Sequence, residues 1–394
     1  MKWSSSISTE TTIDKAVEEV TEAIKKEMGD LPIHLTVLFV SPHFKSQYDL
    51  IPNLIREQLS PGILLGCSGG GIIGGGNEVE QKHAFSLTCA HLPDVEIQEI
   101  QSDTTALPGG DTSPSVWRDW VGVPVEKNPQ FIFLADPFTF RGEEFLMGID
   151  FAYPQSAKVG GLASGAHFQG GNALYLGDKI HNAGLIGVAL SGNIELDTIV
   201  AQGCRPIGEP MPITRCDQTL LMEVGNKSPL TLLEEMVETM SEYDRKLMQT
   251  SLFLGIEMDP LKDDPGQGDF LIRNLMGVDR DSGALSIGAI LREGQLVQFH
   301  LRDKVMSAED LSMMLTRYTD KAQPTQAAGA LLFSCLGRGE YLYGKPNHDS
   351  GVFKDKMGTV PLGGFFCNGE IGPVGNTTFL HGYTSSFGIF RPGK

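Results

Sequence analysis

One pattern of apolar and polar positions occurs three times along the chain. Ile33 to Val40 is a mainly apolar run that reads as a buried strand, followed by Leu50, Ile51, Leu54, Ile55 and Leu59 at helical spacing. A second apolar run, Gly62 to Gly66, ends in the small-residue loop GCSGGGIIGGG. The second copy has strand Gln130 to Ala135, helix Glu143 to Phe151, strand Lys158 to Leu162 and the loop GGLASGAHFQGG. The third has Ala328 to Cys335, a polar segment, Pro361 to Phe366 and the loop CNGEIGPVG. A β-type run follows each copy: Ala84 to Leu92, Gly184 to Ala201 and Thr378 to Phe390. Self-similarity of this kind predicts an α/β fold of repeated βαβ units with appended antiparallel strands.

Other segments fall outside the repeat. Ile13, Ala16, Val17, Val20, Ala23 and Ile24 predict an amphipathic helix within residues 1–30. Pro229 at a first helical position opens a helix with Leu232, Leu233, Met236, Val237 and Met240 on one face. ALSIGAILREGQLVQFHLRD predicts a hairpin turning at Glu293-Gly294, and a further helix is expected from Ser307. Gly203, Pro206, Gly208, Pro210 and Pro212 punctuate the chain, so the boundary between two similar-sized modules is expected at 205/206, giving 31–205 and 206–394.

Composition narrows the function. Among 394 residues, 49 acids against 31 bases give a formal charge of -18, which opposes attraction to nucleic acid phosphates or anionic lipid. No run approaches a membrane span and the first ten residues lack an apolar signal core, so a cytoplasmic protein without membrane insertion is expected. The six cysteines form no CxxC pair, which predicts reduced thiols rather than disulfides or structural zinc. Gly69-x-Gly71-x-x-Gly74 matches the dinucleotide fingerprint in letters only, because Asn77 to Phe85 has no helical spacing.

Candidate chemistry gathers at the ends of predicted strands, where α/β sheets place their ligands and small-residue loops expose backbone N–H groups. Cys67, Cys335 and Cys367 lie there, with Ser68, Arg338, Asn368, Glu370 and His381 nearby. Arg for a carboxylate and Glu for an amine would hold a zwitterion. Alternatively the cysteines are small buried hydrophobes. A catalytic reading takes Cys335 or Cys367 as nucleophile, His381 as base and Glu370 as orienter, although no spacing enforces it. Arg302 is a second anion contact or the partner of Asp303 or a helix carboxylate.

Taken together, GCSGGG, GLIGVALSG, VAQGCRPIGEPMPITR, GDFLIRNLMGVD, FHLRD, LLFSCLGRGEYLYG, FFCNGEIGPVG and FLHGYTSSFGIFR resemble the FIST family, F-box and intracellular signal transduction proteins, over residues 30 to 390. The resemblance implies a sensory module for small ligands, amino acids among those suggested, commonly joined to kinase, chemoreceptor, cyclase or F-box outputs; some bacterial relatives hold haem and sense nitric oxide. Two departures stand out. The flanks leave no room for an output domain, so a signal would pass to a separate protein partner, and the first loop lacks the acidic residue that often follows the family's Gly-Cys-Ser. The expected protein is therefore a stand-alone small-ligand sensor, not an enzyme and without a cofactor. A haem-based sensor, an interaction scaffold and a Cys-dependent enzyme are the alternatives.

Overall fold

A computed structural model describes residues 1–102, 107–109, 112–321 and 327–393. The fold is α/β, and the three repeats are present, each with more strands than the sequence pattern reveals, because the small-residue loops contain hairpin strands. The first consists of strand Lys2–Ser8, helix Ile13–Met28, strand Leu35–Val40, helix Ile51–Gln58, strand Ile63–Ser68, the hairpin Gly71–Gly74 with Asn77–Glu80, and strand Phe85–His91. In the second the series is Val95–Ser102, Pro114–Val121, Gln130–Ala135, Gly142–Ala152, Lys158–Leu162, Leu174–Leu176 with Lys179–His181, and Leu185–Gly192. Its counterpart in the third is Glu195–Gln202, Lys304–Lys321, Gly329–Cys335, the helices Gly339–Tyr343 and His348–Met357, Leu362–Cys367, Glu370–Val374 with Thr377–His381, and Thr384–Arg391. Residues 1–30 are thus a strand and a helix rather than a helix alone. Lys2–Ser8 escaped notice because four serines break its apolar alternation; it pairs antiparallel with Phe85–His91.

Each repeat builds a six-stranded sheet of one order: leading strand, final strand, the two parallel strands, then a hairpin taken from another repeat. The second repeat's hairpin completes the first sheet, the third repeat's completes the second, and the first repeat's completes the third. The exchange closes a ring. Inner faces of the three sheets share one core that includes Trp3, Phe39, Ile132, Val188, Leu331 and Phe365, with Phe39 and Phe365 stacked at 4.7 Å. Helices cover outer faces: Val17, Val20 and Ile24 of Ile13–Met28 bury against Leu38 and Leu87, which is what their three- and four-residue spacing requires.

The third repeat is interrupted between Glu195–Gln202 and Lys304–Lys321 by a closed barrel of six strands. Compactness therefore divides the chain differently from its sequence halves. One unit contains 1–200, 311–380 and 384–394, and the other contains 201–310 and 381–383. The second unit starts near the expected boundary but ends when the third repeat resumes. Within it, Leu285–Ile287 and Leu296–Arg302 are both strands, yet the hairpin expected of them is not formed. Leu285–Ile287 pairs with Leu220 and Leu221 and with Leu275 to Val278, while Leu296–Arg302 lies between Cys204–Asp217 and Leu252–Glu257. The helix expected from Ser307 begins at Lys304, because Asp303 Oδ1 accepts the Val305 N–H at 2.8 Å and caps it.

Candidate functional site

The small-residue loops of the first unit meet one another. Gly70 N–H donates to Ser164 Oγ at 2.9 Å, and Ser164 Oγ donates to Phe366 O. Ser164 N–H bonds Ser68 O, Leu162 N–H bonds Gly369 O, and Asn368 N–H bonds Leu162 O. Ser68 Oγ accepts the Ala173 N–H at 3.0 Å, and the Asn368 amide donates to Ala163 O at 3.2 Å. These backbone donors are already taken, so the expectation of loops offering open N–H groups to an anion is not met at Gly70, Leu162, Ser164 or Asn368. The loops tie the repeats together.

The cysteines follow the same logic. Cys67 and Cys367 are fully buried, and burial pushes both thiols well above their usual range. Cys335 lies directly opposite Cys367 in the parallel register and is partly exposed. Register also separates Cys67 from Cys367 in the repeat: Leu174 faces Cys67 as Glu370 faces Gly161 and Ile72 faces Phe365, so Cys67 matches Phe365. His381 is 3% exposed and groups with the second unit. Among the described residues no cluster of three or more His, Cys, Asp or Glu could hold a metal ion.

Arg338 is wholly buried, and its charge is met from inside the fold. Nε donates to Asp349 Oδ2 at 2.8 Å, and Nη2 donates to Asp349 Oδ1 at 3.1 Å and to the Tyr343 hydroxyl at 2.6 Å. Ser334 and Ser385 also donate to Asp349 Oδ2, and His348 Nδ1 lies 3.0 Å from Oδ1. Burial works against the Asp349 charge, but Arg338 beside it holds the carboxyl well below the usual carboxylate range. Sequence inspection found the arginine and missed the aspartate, whose only signal was its place in the first turn of a helix. Arg338 Nη1 is buried without an acceptor among the described residues. Glu370 is buried too, with Oε2 accepting from Thr384 N at 3.1 Å and Thr384 Oγ1 at 2.8 Å.

Open space lies at the carboxyl end of the second sheet. Beyond Ala135, the segment Phe138 to Arg141 lines a cavity of about 540 Å³ together with Leu107 to Gly109, Trp117, Glu144 and Phe145. Asp136 shapes that segment: its Oδ2 accepts Phe138 N–H at 3.2 Å and Thr139 Oγ1 at 2.8 Å. Four aromatic rings with one guanidinium, one carboxylate and one hydroxyl form a wall suited to a small amphipathic molecule. A second cavity, about 520 Å³, is lined by Gln98, Glu99, Gln101, Asp178, Lys179 and His181. Neither fits a haem. Among the described residues the first offers no His, Cys or Met ligand, and the second sets His181 among polar side chains rather than apolar walls. Among the described residues no helix is long and apolar enough to cross a membrane.

Comparison with known proteins extends over the whole chain. The FIST N domain matches residues 34–227 and the FIST C domain residues 229–373. An uncharacterized protein of Mycobacterium tuberculosis is 33% identical over 388 residues, 98% of each chain. One from Mycobacterium bovis is 32% identical over 378 residues, 95% of each. An F-box/LRR-repeat protein of Arabidopsis thaliana is 33% identical over 122 residues, 27% of this chain and 23% of that one.

Proposed function

Because this chain belongs to the FIST family, with both its N and C domains and with the family's sensory role in signal transduction, we propose that it is a small-ligand receptor. In this reading it works in the cytoplasm, takes an amino acid or related small carboxylate, and signals through a separate protein. It binds rather than catalyses. In support, the Cys67 and Cys367 thiols are buried and held protonated, the opposite of an activated nucleophile.

The observation that carries the reading is the 540 Å³ cavity outside the parallel strands of the second sheet. Carboxyl ends of such strands are where open α/β sheets hold ligands, and the volume falls in the usual range for small-molecule sites. Arg141 and Glu144, 3.4 Å apart, supply both charges that a zwitterion needs. A thermal-shift screen of amino acids and small carboxylates tests it. The expected hit raises the melting temperature of the native protein and has no effect on Arg141→Ala, because a bound ligand stabilises the state that holds it. Equal shifts in both proteins reject the cavity. A second reading places the ligand at Arg338, favoured by the Nη1 donor that no acceptor meets; a hit retained by Arg141→Ala and lost by a folded Arg338→Lys variant would support that placement.

A further inference from the structure

The second unit holds a buried guanidinium whose Nε and Nη2 meet no hydrogen-bond acceptor among the described residues. Leu296–Arg302 sends Val297, Phe299 and Leu301 into the barrel core, so Gln298, His300 and Arg302 share its other face. That face is covered as well. Cys204, Phe253, Phe270 and Ile272 form a small buried cluster against which Tyr383 packs, and the Tyr383 ring lies 4.2 Å from that of Phe253. The Arg302 guanidinium lies over the Tyr383 ring at 5.0 Å, and the residue is 8% exposed. Its Nε and Nη2 are buried and have no hydrogen-bond acceptor among the described residues.

Those two nitrogens form one edge of the guanidinium, the edge that grips a carboxylate with two parallel N–H···O bonds. Two other described arginines use it. Arg338 places Nε and Nη2 on Asp349, and Arg391 places the same pair on Asp197 at 2.8 and 3.2 Å. Arg302 has the same edge in a more apolar setting and no aspartate. The neighbouring Asp303 is committed elsewhere, with Oδ1 capping the following helix and Oδ2 3.7 Å from Arg205. A salt bridge from Arg302 to Asp303, one sequence-based alternative, is therefore absent. A buried charge without a partner costs several kcal/mol, and buried ionisable groups with unusual surroundings concentrate at functional sites.

We infer that Arg302 is the anchor of a carboxylate-binding site in the barrel unit, with the Tyr383 ring forming one wall. The ligand class is a small organic carboxylate, two coplanar oxygens facing Nε and Nη2. This inference is independent of the cavity lined by Arg141, which belongs to the other unit.

The test compares full-length native protein with Arg302→Met, which keeps the apolar stem and removes the charge. Melting curves are recorded in sodium acetate and sodium succinate against sodium chloride of equal ionic strength. The carboxylates should raise the native melting temperature by about 2–5 °C beyond chloride, and Arg302→Met should lose that increment. Arg141 lines the other candidate site, so an increment kept by Arg302→Met and lost by Arg141→Ala would place acetate and succinate in that cavity and overturn the site at Arg302. Without carboxylate, Arg302→Met should melt at the native temperature or above it, because the variant relieves an unmatched buried charge. General salt exclusion stabilises both proteins alike, so equal increments overturn the site. A variant that melts several degrees lower without carboxylate also overturns it, since the guanidinium would then already have its partner. Sodium phosphate raising the melting temperature as much as the carboxylates overturns the ligand class.

Discussion

Glu78 and Ser350 belong to different repeats, yet the Glu78 carboxylate accepts the Ser350 backbone N–H at 2.6 Å. Asn347 Oδ1 in turn accepts the Glu78 N–H, and Glu80 Oε1 accepts the Glu340 N–H at 2.8 Å. The first repeat's hairpin is thereby fastened to the helical segment of the third, a few residues from the Arg338–Asp349 pair. This fastening carries a titration, because burial first and the Asp349 charge second push Glu78 up to about 7.

An acid whose folded value lies above its ordinary 4.5 binds more protons folded than unfolded between those limits. Its favourable contribution is therefore full below the unfolded value and is lost as pH rises through the folded value. Glu78→Gln keeps an oxygen for the Ser350 N–H and removes the titration. Urea melts at about pH 5 and about pH 8 should show the native protein losing about 1–3 kcal/mol more than Glu78→Gln over that interval. Parallel losses would mean that Glu78 stays ionised throughout.

Arg338 and Asp349 are each other's charge balance, so removing either leaves the other buried and alone. Arg338→Met and Asp349→Asn should each destabilise the ligand-free protein by about 3–5 kcal/mol in denaturant melts. The double variant should lose less than the sum, which a double-mutant cycle measures directly. Additive losses would show that the two charges act separately, as an arginine kept mainly for a ligand would.

How much of this was legible in the sequence depended on the range of the signal. The parallel strand pairs, their helices and the threefold repetition were visible because runs such as Ile33 to Val40 and Gln130 to Ala135 are buried on both faces and carry their pattern locally. The hairpin exchange was not. Gly71–Gly74 reads the same whether it folds onto its own sheet or onto Leu362–Cys367, and only the tertiary register decides. Glu78 therefore gave no sign of reaching Ser350. Among the candidate site residues, Arg338 and Glu370 were recognisable as buried chemistry, but their partners Asp349 and Thr384 lie 11 and 14 residues away on other elements. The barrel misled because Leu285–Ile287 and Leu296–Arg302 look like hairpin arms while their pairing partners are distant in sequence.

One glycine per repeat occupies the same place in the second parallel strand. A Cβ on Gly66 would lie 2.2 Å from Leu38 O, on Gly160 1.8 Å from Phe133 O, and on Gly364 1.9 Å from Leu332 O. Gly160 and Gly364 also have φ of +155° and +148°, where side chains are strained. Gly364→Ala should thus cost about 3 kcal/mol or more, through backbone strain added to a backbone clash. Gly375→Ala, where φ is +62° and no atom lies within 4 Å of the added carbon, should cost only about 1 kcal/mol. Denaturant midpoints of the two variants test the contrast, and similar losses would show that close strand approach is not what Gly364 provides.

Ser164 concentrates the ring closure in one hydroxyl, since it accepts from Gly70 of the first repeat and donates to Phe366 O of the third while standing in the second. Ser164→Ala removes both bonds without changing the backbone, and the Gly70 N–H is left without its acceptor. The expected loss is about 1–3 kcal/mol, the range for a buried group deprived of its hydrogen-bond partner. Hydrogen exchange distinguishes a local effect from a lost tie. If the loops hold the repeats together, protection should fall at Gly70 and also on the exchanged hairpins at Ile72, Tyr175 and Ile371, because each hairpin is anchored by the loops that Ser164 joins. Faster exchange confined to Gly70 would reduce the serine to a local contact and leave the hairpins held by their strand pairing alone.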